Sequence, residues 1–73
     1  MTFYRTVIRN AKTRETELIT WQSKDFDKCL LEARRLIDKA NIDPSQVDLL
    51  ERNEAGLWES IFPAWNKKEV SNL

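Results

Sequence analysis

The residue types that carry most chemistry near neutral pH are scarce in this chain: among 73 residues there is no histidine, one cysteine (Cys29) and one glycine (Gly56). Without histidine, proton transfer would need a strongly shifted carboxylate or lysine, and so short a chain has little interior in which to shift one. One cysteine and no histidine exclude zinc sites and the usual cysteine or serine triads. A single glycine rules out a glycine-rich phosphate loop, and residues 43–54 do not supply oxygen ligands at the positions of a calcium loop. No catalytic residue, metal ligand or cofactor is assigned, and the chain is read as non-enzymatic.

Recognition chemistry remains. The stretch GLWESIFPAW places Trp58, Phe62 and Trp65 close together beside Glu54 and Glu59, and residues 43–65 set Arg52 against Asp43, Asp48, Glu51, Glu54 and Glu59, a net −4. Large rings are enriched at protein interfaces. The leading expectation is therefore a partner protein, or a second copy of the chain, bound through Trp58, Phe62, Trp65, Glu54 and Glu59. The same acidic hairpin could imitate phosphates in the basic groove of a host protein. In size and layout the chain is similar to the small accessory proteins of bacteriophages and mobile elements, a likeness of general appearance.

The alternative is nucleic acid. Arg5, Arg9, Lys12 and Arg14 lie among Phe3, Tyr4 and Trp21, and residues 1–22 set those four cations against Glu15 and Glu17, a net +2. Cations interleaved with rings on a β-ribbon hold phosphates and stack bases. Against this, the chain as a whole carries 12 basic and 12 acidic residues, whereas nucleic-acid domains usually show a basic excess. Cys29, on an apolar helical stripe with no cation fixed beside it, is read as a small buried hydrophobe rather than a reactive thiol.

The elements that must position these residues follow from periodicity. FYRTVIRN and TELITWQ are rich in β-branched and aromatic residues and flank the polar AKTRE, which predicts a hairpin. With Asn10 opposite Glu15, an unbroken register pairs Ile8 with Glu17, Thr6 with Ile19 and Tyr4 with Trp21. One face would then hold Tyr4, Ile8, Ile19 and Trp21, and the other Phe3, Val7 and Leu18 with Arg5 and Arg9. From residue 23, Phe26, Cys29, Leu30, Ala33, Leu36, Ile37 and Ala40 recur every three or four positions, the mark of an amphipathic helix. Ser23 or Asp25 would cap its start and Asn41 its end, while Lys28 with Glu32 and Arg34 with Asp38 would pair on its solvated side. DPSQ predicts one helical turn, VDLLER and LWESIF a second hairpin turning at Gly56, and Pro63 its end.

The predicted fold is α+β, in the order ββαββ, with a four-stranded antiparallel sheet and one amphipathic helix packed on one face. Residues 1–65 are expected to form a single domain and 66–73 a polar, frayed tail. Hydrophobic residues make up 41% of the chain and charged ones 33%, enough apolar content to fold. A domain this small buries only about 60% of its unfolded surface, so a deep pocket for a small-molecule substrate is not expected. No apolar run is long enough for a bilayer, arginines stand where a signal peptide would have its apolar core, and a lone cysteine suits a reducing compartment, so a cytoplasmic location is expected.

Overall fold

The computed structural model describes residues 2–61. Strands β1 (Tyr4–Arg9) and β2 (Thr16–Ser23) lead into helix α1 (Phe26–Asp38), a 3-10 turn (Pro44–Gln46), and strands β3 (Val47–Arg52) and β4 (Trp58–Ser60). The four strands form one antiparallel sheet in the order β2-β1-β3-β4, with α1 packed against it. This is the α+β architecture expected from periodicity. The structure adds the strand order: the two hairpins meet through β1 and β3, which leaves β2 and β4 as edges. The predicted tail, Phe62, Pro63 and Trp65 lie outside the described residues.

The helix, the 3-10 turn and the second hairpin are bounded by identifiable groups. Asp25 caps α1 by accepting the Asp27 N–H, and the Ser23 hydroxyl oxygen accepts the Asp25 N–H. At the other end Asn41 adopts φ 58°, and the Ile42 N–H returns to the Leu36 carbonyl. Asp43 caps the 3-10 turn through the Ser45 N–H, with Pro44 at the first helical position. That N–H and then the Ser45 hydroxyl hold the Asp43 carboxyl below its ordinary pKa. Gly56 takes φ 84° between β3 and β4, as a tight hairpin turn requires.

The core lies between α1 and the central strands. Cys29, Ala33 and Leu36 from the helix meet Val47 and Leu49 from β3, with Tyr4 and Ile8 of β1 packed at the margin. Thr6 is fully buried in this layer, and its hydroxyl donates to the Cys29 carbonyl at 2.6 Å, so this polar group is not left unsatisfied. Tyr4 and Phe26 meet edge to face at 5.4 Å and close one end.

The first hairpin departs from an unbroken register. Asn10 does face Glu15, and the Asn10 N–H donates to the Glu15 carbonyl. Beyond that point β2 takes two extra residues, so that Ile8 pairs with Leu18, Val7 with Ile19 and Thr6 with Trp21. Each bulge moves the following side chains to the opposite face. The first therefore puts Leu18 on the helix side and Ile19 on the far side, the reverse of the unbroken alternation. The second restores it, and Trp21 shares a face with Tyr4 as expected.

Candidate functional site

The side chains singled out in the second hairpin do not share one surface. The pairings Leu50–Ser60, Glu51–Glu59 and Arg52–Trp58 put Trp58 on the face away from α1 and Glu59 on the helix side. Glu59 accepts a hydrogen bond from the Asn53 amide at 2.6 Å, and Glu54 is exposed in the turn. Phe62 and Trp65 lie outside the described residues. Trp58 instead meets the first hairpin: the Arg5 guanidinium carbon is 4.0 Å from its ring centroid, and Arg5 Nε donates to Gln22 Oε1 at 2.7 Å.

The four cations of the first hairpin also separate by role. Arg9 Nε donates to Asp48 Oδ2 at 2.6 Å, with both side chains largely buried, and its Nη1 donates to the Arg14 carbonyl. Asp48 Oδ1 accepts the Leu49 N–H and the Ser60 hydroxyl. Arg9 thus balances a buried carboxylate that joins β1, β3 and β4, a structural duty rather than a solvent-facing one. Arg14 stands at φ 65° and donates to the Ser45 carbonyl, tying the first turn to the 3-10 turn. Lys12 is exposed in that turn, where the Asn10 side chain accepts the Lys12 and Thr13 N–H groups. Among the described residues, only Arg5 of the four lies over an aromatic ring.

A third surface, between β2 and α1, was not singled out by the sequence reading. Trp21, Lys28, Leu31, Glu32 and Arg35 line an open groove of about 340 Å³. Trp21 is 47% exposed and Leu31 65%, and Leu18, 56% exposed, lies further along the same face of β2. Glu32, expected on the solvated side of the helix, is buried at the base of this wall. It accepts two hydrogen bonds from Arg35, at 2.7 and 3.0 Å. These bonds, helped by Thr20, hold its carboxyl below the ordinary value against the opposing effect of burial. Lys28 thus leaves the rim of the apolar groove net positive. One signal was present in the sequence: Leu31 is a large apolar residue outside the helical stripe, between Lys28 at i−3 and Arg35 at i+4.

Cys29 is fully buried against Thr6, and burial raises its thiol pKa, so it packs as an apolar residue in the native fold. Among the described residues no three histidine, cysteine, aspartate or glutamate side chains gather as a metal site would require, and no helix is long and apolar enough to cross a membrane. No protein-family model matches the chain, and neither a curated protein nor a solved structure matches it.

Proposed function

We propose that this chain is a non-enzymatic protein-interaction module whose docking surface is the groove between β2 and α1. The observation that carries the reading is the exposure of Leu18, Trp21 and Leu31 on one side of so small a domain. An apolar ledge of this kind is what a partner covers. The rim decides what kind of partner. Lys28 flanks the groove, and Arg35 and Glu32 beside it balance each other, so the rim is left net positive through Lys28. The complement is a protein segment that carries leucine-like side chains between carboxylates, an acidic amphipathic helix being the simplest form.

The test uses two synthetic helical peptides with leucines at i, i+3, i+4 and i+7, one with glutamates on the flanking positions and one with lysines. The acidic peptide is expected to shift Trp21 emission in a chain whose other tryptophans are replaced by phenylalanine, and Leu31→Asp to abolish the shift. Lys28→Glu, which leaves the Glu32–Arg35 pair in place, should reverse the preference. Equal binding of the two peptides, or no binding of either, refutes the reading. A mass that grows with concentration in light scattering and reverts on Leu31→Asp would instead give the ledge to a second copy, and overturn the separate partner.

A further inference from the structure

The sheet face turned away from α1 carries a charge that the whole-chain balance hides. Tyr4 pairs with Ser23 and with Glu51, and Arg52 pairs with Trp58. Continued by one residue, these registers set Lys24, Phe3, Arg52 and Trp58 in a single cross-strand row, and the Arg52 N–H donates to the Phe3 carbonyl at 3.0 Å. Gln22, Arg5, Leu50 and Ser60 form the next row. Two cations lie over the two rings: Arg5 above Trp58 at 4.0 Å, and Lys24 Nζ at 5.6 Å from the Phe3 centroid.

Carboxylates are absent from both rows. Glu51 and Glu59 occupy the intervening positions, which face the helix side. Asp48 lies one row further on and is occupied by Arg9, Ser60 and the Leu49 N–H. This end of the sheet therefore offers three cations and two aromatic rings on one surface. Only the tertiary pairing assembles it, because Phe3 and Arg5 come from the first hairpin and Arg52 and Trp58 from the second.

We propose that this surface binds single-stranded nucleic acid, with Phe3 and Trp58 as stacking platforms and Arg5, Lys24 and Arg52 on the phosphates. A single strand presents flat bases and one negative charge per nucleotide, the complement of rings alternating with cations. Arg5 is the pivot. Its guanidinium rests on Trp58 and is held by Gln22 through Nε, so among the described residues its terminal N–H groups remain to donate to a phosphate. A duplex keeps its bases stacked inside and offers this face only its phosphates.

The experiment titrates the full chain with labelled single-stranded RNA and DNA of mixed sequence, using duplex, inorganic polyphosphate and a glutamate-rich peptide as competitors. Binding is expected to fall with salt with a log–log slope of about −2, since each cation on a single-strand phosphate contributes about −0.7. Arg52→Gln should reduce that slope by about 0.7. Trp58→Ala should weaken binding roughly tenfold, the usual scale of one lost stacking platform, while Trp58→Phe retains most of it. Lys12→Gln, in the first turn, should change nothing. Circular dichroism checks that each variant folds, and Arg52→Gln and Lys24→Gln carry the test if Trp58→Ala does not. A preference between RNA and DNA would show whether the 2′-hydroxyl is read. The proposal is overturned by absence of binding at low salt, or by polyphosphate or the acidic peptide competing as well as an oligonucleotide of equal charge. Lys12→Gln matching Arg52→Gln would overturn it too. These outcomes leave the groove on the other side of the sheet untouched, so the two readings fail separately.

Discussion

Replacing Arg9 tests whether this cation serves the fold or a ligand, and the structure sets the size of the answer. Asp48 accepts three hydrogen bonds, from Arg9 Nε at 2.6 Å, the Leu49 N–H at 2.8 Å and the Ser60 hydroxyl at 2.7 Å. The side chains of Arg9 and Asp48 are 20% and 10% exposed. Removing one partner of a buried pair costs about 3–5 kcal/mol when the remaining charge is orphaned. Here two neutral donors and a little solvent remain, so Arg9→Met should cost about 2–3 kcal/mol. A chain of this length has a total stability of about 4–11 kcal/mol, so the loss is a large share of it. Adding Asp48→Asn removes the stranded charge, and the double variant should recover about half of the loss, leaving one imperfectly paired amide at about 1 kcal/mol. Urea unfolding followed by circular dichroism measures all members of the cycle, with the midpoint moving and the slope constant. A cost below about 0.5 kcal/mol for Arg9→Met would place the pair with exposed ion pairs and refute the reasoning.

Three further outcomes are expected. Gly56→Ala should destabilise by about 1–2 kcal/mol, a backbone cost because among the described residues the added Cβ would meet the Arg52 guanidinium at an ordinary 3.7 Å while φ stays at 84°; a neutral substitution in thermal melts would show that the turn relaxes. Glu32, whose carboxyl is depressed chiefly by Arg35, contributes stability that is present above the ordinary glutamate pKa and is lost as pH falls through the depressed folded value. Urea midpoints should therefore show the gap between the wild type and Glu32→Gln narrowing from about pH 7 to about pH 3, and a constant gap would count against the pair. Cys29, buried with a raised thiol pKa, should react with an aromatic disulfide reagent only as fast as the fold opens, and faster in urea. Complete labelling within seconds in native buffer would contradict its burial.

Much of the architecture was legible because local patterns in this chain agree with one another. The stripe from Cys29 to Leu36, the capping Asp25, the left-handed Asn41 and the turn at Gly56 all stand where periodicity and cap chemistry place them. Where the reading failed, tertiary contacts outweighed a local rule. The two bulges in β2 were hidden because Leu18, Ile19 and Trp21 are apolar alike, so alternation there does not reveal which of them faces the helix. Glu32 looked solvated on a helical wheel, and Thr20 and Arg35 together make its burial affordable.

The surfaces divide along the same line. By itself the sequence determined that four strands and one amphipathic helix form, where the helix is capped and the second hairpin turns, and that the common catalytic and metal chemistries lack their residues. These follow from side-chain period, capping groups and composition, all of them local. Tertiary structure alone decided that β1 and β3 meet at the centre of the sheet. That pairing sends Arg9 to a buried carboxylate and sets Trp58 and Arg52 beside Arg5 and Phe3 across strands about 4.8 Å apart. The physical reason is that cross-strand neighbours are chosen by sheet order and register, which depend on how the whole core packs and not on any single segment.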